Sequence, residues 1–81
     1  ILRPMTTQAS ADAALALVVN GEPRTVAPGT TVGAFLAALD LDPRLVVVER
    51  NREILRDRDA LGAIALADGD VLEIVHFVGG G

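Results

Sequence analysis

The sequence predicts an α+β fold: a mixed four- to five-stranded sheet with one main helix packed on one face and a short helical turn before the last strand. Three observations carry this expectation. An Asn20-Gly21 pair sits between two strand-like runs, an apolar stripe of helical period occupies residues 32–39, and an alternating run, Val71-Leu-Glu-Ile-Val-His-Phe-Val78, leads into Gly79-Gly80-Gly81.

Leu15-Ala-Leu-Val-Val19 reads as a strand, and Asn20-Gly21 tolerates positive φ at both centres of a type I′ turn, so the chain is expected to fold back through Glu22 to Val26. Pro23 lacks an N–H, which either places this second strand at a sheet edge or makes Pro23 a peripheral residue of it. Pro28-Gly29 closes the hairpin, and Thr30 or Thr31 is expected to cap the helix. Ala34 rules out a reciprocal capping box. Val32, Phe35, Leu36 and Leu39 fall at i, i+3, i+4 and i+7, one stripe that must lie on the sheet. Gly33 inside that helix weakens it by roughly 1 kcal/mol against Ala, which is explained by a close neighbour or by simple tolerance.

Asp40 to Pro43 ends the helix. Val46-Val-Val-Glu49 and Glu53-Ile-Leu55 then form a second strand pair around Arg50-Asn51-Arg52, where Asn51 is expected to take the left-handed position and Arg52, standing where Gly would be easier, implies a longer or strained turn. Ala60 to Leu66 reads as a short helical turn with Leu61, Ile64 and Leu66 apolar, and Asp68-Gly69-Asp70 as a tight turn into the last strand. One helix crossing a mixed sheet in the order ββαββ, connector, β is the β-grasp, or ubiquitin-like, arrangement.

Eighty-one residues allow one domain, and 25 Leu, Ile and Val supply one small aliphatic core with little aromatic bulk. Its stability is expected to be on the order of 5 kcal/mol. Residues 1–14 are small, polar or Ala-rich without sustained period and are expected to form a flexible N-terminal arm. Ile1-Leu-Arg-Pro4 precede Met5, the expected natural start, so residues 1–4 are read as upstream or vector-derived. The β-grasp domain is expected over 15–78 and a flexible glycine tail over 79–81.

The net charge is −4 and all seven cations are arginines scattered along the chain, without the basic stripe or interleaved aromatics of a nucleic-acid binder. No apolar run approaches the roughly 20 residues of a membrane span, and no signal-peptide core is present, so a cytoplasmic location is expected. Cysteine is absent, which excludes disulfides, zinc–thiolate sites and a thiol nucleophile. Any sulfur the protein carries must therefore sit elsewhere, and the Gly81 carboxyl is the available place. Asp68-Gly-Asp70 offers too few ligands for a metal, and the alternating charges from Arg50 to Asp59 read as a solvated face with some arginines available to an acidic partner. His76 has no Ser or Cys partner and no second ligand, so no catalytic residue and no metal site are expected. No loop of the chain cradles a phosphate.

If Leu72 and Ile74 face the core, Val71, Glu73, Val75 and Phe77 face outward, making Val75 and Phe77 exposed apolar groups beside the tail. Val75, His76, Phe77 and Val78 are thus the expected partner-docking residues, with His76 in tail presentation or a partner hydrogen bond. The alternative is that Phe77 folds back as a lid on the core.

The Val-Asn-Gly-Glu-Pro hairpin, Pro28-Gly-Thr-Thr-Val, Val48-Glu-Arg-Asn51 with Glu53-Ile54, Gly69-Asp70 and above all Glu73-Ile-Val-His-Phe-Val-Gly-Gly-Gly81 resemble the ThiS family of sulfur carriers of thiamine-thiazole biosynthesis, over about residues 15 to 81. The resemblance implies no bound cofactor. It further implies that Gly81 is adenylated with ATP by a ThiF-type activating enzyme, converted to a thiocarboxylate by a sulfur donor system, and gives its sulfur to a ThiG-type thiazole synthase. Gly79, Gly80 and Gly81 would enter the partner's active site, where any Cβ restricts the backbone. Two other classes remain: a MoaD-like carrier of another pathway, and a non-covalent ubiquitin-like interaction module. An enzyme in its own right is disfavoured, since no acid, base or nucleophile constellation is visible.

Overall fold

A computed structural model describes residues 14–77. The expected arm, apart from Ala14, and Val78 with the glycine tail lie outside the described residues. Five strands form one sheet in the order β2-β1-β5-β3-β4, with β1 parallel to β5 and every other pair antiparallel. The strands are β1 (Leu15–Val19), β2 (Glu22–Val26), β3 (Val46–Arg50), β4 (Glu53–Ile54) and β5 (Val71–His76), and among the described residues one helix, α1 (Val32–Ala38), packs on one face. This is the β-grasp expected from the sequence, with the last strand in the chain at the centre of the sheet.

Both hairpin turns have two residues. Asn20 and Gly21 take φ of 50° and 82°, the type I′ turn their pairing predicts. The second turn differs from expectation: Arg50 belongs to β3, the loop shrinks to Asn51 and Arg52, and both are left-handed, at φ 50° and 74°. Thus Arg52 carries the strain while the loop stays short, because the Arg50↔Glu53 pairing fixes its length. β2 forms one edge of the sheet, with Pro23 opposite Val18, and β4, two residues long, forms the other.

The side chain of Thr31 accepts from the N–H of Ala34 at 3.0 Å and caps α1, while the Thr30 hydroxyl turns back to the Ala27 carbonyl. The helix closes with Asp40 left-handed at φ 61°, the Asp40 N–H donating to Ala37 and the Leu41 N–H to Leu36, a Schellman arrangement in which Asp replaces the usual Gly. Val32, Phe35 and Leu36 of the stripe are buried against Leu17, Val19, Val48 and Leu72 of the sheet, with Leu39 partly buried beside them. A Cβ on Gly33 would stand 3.1 Å from the backbone of Gly62, so its place in the helix is explained by close approach.

Two 3₁₀ turns complete the fold. Pro43–Leu45, which starts at the last residue of the expected helix end, Asp40 to Pro43, is capped by the Asp42 carboxylate accepting from the Arg44 N–H. Arg58–Ala63 begins two residues before the expected turn and ends before Ile64, and of its residues Leu61 enters the core. Ile64–Leu66 instead run alongside the start of α1, where the Val32 N–H donates to Ile64 and the Leu66 N–H to Thr30.

β5 is held on both sides by asparagine side chains. The Asn20 amide accepts from the Ile74 N–H at 2.7 Å and donates to the Ile74 carbonyl at 3.2 Å, extending the ladder past the point where β1 stops pairing. Asn51 accepts from the Val71 N–H at 2.9 Å, and its own N–H donates to the Val71 carbonyl. Just before the strand, Asp70 is 5% exposed. Its carboxylate accepts from Ala67 N–H at 2.8 Å, from Asn51 Nδ2 at 3.0 Å and from Arg50, whose Nη2 lies 2.9 Å away. The reading of Arg50 to Asp59 as a solvated face is therefore corrected at Arg50, whose partner lies twenty residues on. Burial disfavours ionised Asp70, but the hydrogen bonds from Ala67, Asn51 and Arg50 outweigh it and hold the carboxyl below its ordinary range.

Two outcomes follow for stability. Arg52→Gly relieves the left-handed strain and should raise stability by about 1 kcal/mol, roughly 4–8 °C in Tm, read by thermal unfolding. Asp70→Asn removes an ionised acceptor from a partly exposed pair and should cost about 2 kcal/mol at pH 7. Because the folded-state pKa of Asp70 is depressed, its contribution is complete above its ordinary value of 3.8 and fades as pH falls through the lower folded value. The gap between parent and variant in urea denaturation should narrow over that acidic window.

Candidate docking face and the root of the glycine tail

Strand alternation sorts β5 into two faces. Leu72 and Ile74 point to α1, whereas Val71, Glu73 and Val75 point away, followed outward by Phe77. Val75 is 60% and Phe77 47% exposed, so Phe77 does not close over the core. Opposite them on β3, Val47 pairs with Val75 and Glu49 with Glu73. The outward face thus has an apolar part at Val47, Val75 and Phe77 and an acidic part at Glu49 and Glu73, with exposed Ile54 of β4 beside Glu49. The two glutamates stand directly across from each other, a repulsive pairing, and neither joins an ion pair among the described residues. They line a concavity of about 460 Å³ together with Asn51, Arg52 and Val71.

His76 lies on the other side. It continues the parity of Leu72 and Ile74 and borders a separate concavity of about 390 Å³ with Ile74, Leu39, Leu41, Asn20, Glu22 and Arg24. The structure therefore brings Val75 and Phe77 together on one face and separates His76 from them, so these three residues cannot meet one flat partner surface. Val78, Gly79, Gly80 and Gly81 lie outside the described residues.

The root of the tail is pinned by groups that the sequence reading did not single out. The Phe77 N–H donates to the Leu45 carbonyl at 2.8 Å, and the Arg58 guanidinium stands over the Phe77 ring, 5.9 Å from its centroid. Arg58 is itself fixed by bonds from Nε to the Pro43 carbonyl at 3.0 Å and from Nη2 to the Val46 carbonyl at 3.2 Å. No local sequence signal marks these contacts, since all span twelve residues or more. Among the described residues no cluster of His, Asp or Glu has the form of a metal site, and both carboxylates of the Asp68-Gly-Asp70 turn are engaged by protein donors, Asp68 by the Ala16 N–H at 2.8 Å. Nor does any helix among the described residues have the length and apolarity to cross a membrane.

The ThiS family model matches residues 17–81, four-fifths of the chain. The protein belongs to the ThiS family. A ThiS from Bacillus subtilis named as a sulfur carrier protein is 47% identical over 51 residues, covering 63% of this chain and 76% of that one. The crystal structure of the thiamine biosynthesis protein ThiS from Geobacter metallireducens superposes with a TM-score of 0.69 at 41% identity, covering 83% of this chain and all of that one. A thiazole synthase from Paramagnetospirillum magneticum is 49% identical over 65 residues, but this chain spans only 20% of its length. The resemblance read from the hairpin and the closing nonapeptide is thus borne out, including the family of the fold.

Because Phe77 is half exposed and Leu36 fully buried, Phe77→Ala should lower unfolding free energy by less than about 1 kcal/mol, against about 2–5 kcal/mol for Leu36→Ala. Chemical denaturation of both variants checks the ordering, and a Phe77→Ala cost equal to that of Leu36→Ala would restore the core-lid reading.

Proposed function

We propose that this ThiS-family chain is a sulfur carrier of thiamine biosynthesis, a protein co-substrate and not a catalyst, with the Gly81 carboxyl as the group that carries sulfur. The observation that carries the reading is the pairing of its family membership with a strand β5 that runs from the sheet centre toward Gly79-Gly80-Gly81. A carboxylate is a poor electrophile, since its charge repels nucleophiles and oxide is a poor leaving group. The Gly81 carboxylate oxygen attacks the α-phosphorus of ATP, pyrophosphate departs, and a glycyl adenylate results. A hydrosulfide equivalent from the sulfur donor then attacks the carbonyl, AMP leaves with the electrons of the broken C–O bond, and loss of a proton gives the thiocarboxylate.

ATP is bound by a ThiF-type adenylating enzyme, in keeping with a sequence that carries no glycine-rich loop of the phosphate-cradling kind. The thiazole synthase is the proposed acceptor of the sulfur. Support comes from the two thiazole synthases, of Paramagnetospirillum magneticum and Magnetococcus marinus, that contain a stretch 49% and 43% identical to this chain, the stretch making up 20% and 19% of their length. Carrier and synthase sequences sharing one chain in those proteins fit a working partnership. Val75 and Phe77 form the apolar contact of the outward face with the adenylating enzyme, His76 approaches from the other side of β5 as a partner hydrogen-bonding group, Val78 adds to the docking contact, and Gly79 to Gly81 reach the active site. The whole reaction is placed in the cytoplasm, where ATP and reduced sulfur donors are both available.

Incubation of the chain with ATP, a ThiF-type enzyme and a sulfur donor should exchange one oxygen for sulfur at Gly81, read by intact mass and by fragmentation of the C-terminal peptide. Gly81→Ala should reduce that conversion at least tenfold with Tm unchanged, because an added Cβ restricts the backbone in a narrow channel without touching the fold. An unchanged mass for the parent chain would instead support a non-covalent interaction module.

A further inference from the structure

The 3₁₀ turn Pro43–Leu45 and the first residue of β3 offer three main-chain carbonyls, those of Pro43, Leu45 and Val46, toward the place where β5 ends. Two of them hold Arg58, and the third holds the N–H of Phe77. The guanidinium and the aromatic ring that meet above this turn are therefore both referenced to the same four-residue segment. An arginine free in solvent would gain little by resting on a half-exposed ring, since ordering its long side chain offsets the attraction. Here the two carbonyl bonds have already ordered it, so the cost of the contact falls only on the two χ angles of Phe77.

Gly81 lies four residues beyond Phe77, a reach of about 13 Å when extended, and a small change of direction at the root moves the carboxyl by several ångström. We propose that Arg58 is a positioning residue: held by the Pro43 and Val46 carbonyls, it fixes the Phe77 ring and so sets the direction in which the chain leaves β5 for the adenylating enzyme. The inference rests on the carrier reading above for its consequence, but its structural content stands on the three contacts alone.

The test is a double-mutant cycle of Arg58→Met and Phe77→Leu, with pyrophosphate release by the adenylating enzyme as the kinetic readout. Arg58→Met should raise KM for the carrier roughly 2- to 5-fold, the range a contact between a cation and an exposed ring supports, with kcat unchanged. Arg58→Lys, which keeps the charge but cannot fork between two carbonyls, should recover only part of the loss. In the Phe77→Leu background Arg58→Met should add nothing further. A parent-like KM for a folded Arg58→Met variant, or an equal rise in the Phe77→Leu background, would overturn the proposal. Independently of any enzyme, the ¹⁵N order parameter at Phe77 should fall in Arg58→Met and in any folded Arg58→Lys while β3 stays unchanged. An unaltered value at Phe77 would also overturn it, whereas failure of the parent to release pyrophosphate would count against the carrier reading and not against this contact.

Discussion

The structure depends on β5 being held between β1 and β3, although it is the last strand to enter the chain. Its pairing with β1 is short, two residues in register, and would leave the N–H and carbonyl of Ile74 open on that side. The amide of Asn20 meets both, acting as a surrogate peptide group. On the other side Asn51 meets Val71 and also reaches Asp70, whose buried carboxylate draws in Arg50 and the Ala67 N–H. Both asparagines can do this because both sit at the first left-handed position of a two-residue turn, which aims the side chain back across the sheet. The turns therefore serve twice, reversing the chain and fastening a strand remote in sequence.

Much of this was legible from residue order. The Asn20-Gly21 hairpin, the α1 stripe and the parity of β5 follow from periodicity and turn chemistry, which act over a few residues. The second hairpin was harder, because Arg52 at a left-handed position contradicts the preference for glycine, and only the register of Arg50 against Glu53 shows that the loop has two residues. The first 3₁₀ turn was hidden by Pro43, which reads as an end of structure yet is well suited to the first position of such a turn. Arg50 looked like one more surface charge, since burial of an arginine depends on an acid that the fold, and not the local sequence, brings near.

The same limit explains the candidate site. That Val75 and Phe77 face outward could be read from alternation; that His76 falls on the opposite side follows from the same alternation once β5 is known to stay regular through that residue. Glu49 facing Glu73, and the gathering of Phe77, Leu45 and Arg58, required strand register and a turn geometry with no local signature. Under the carrier function proposed above, these surfaces are the part of the chain that a partner enzyme would recognise.

The two rims of the sheet have a consequence for how copies of the protein meet one another. A β-sheet rim normally invites a foreign strand to continue the hydrogen-bond ladder, the route by which small sheet proteins stack and precipitate. Here one rim is only two residues long, and the other interrupts its donors with Pro23 between charged Glu22 and Arg24. Continuation of the ladder by a second copy is thereby disfavoured at both rims.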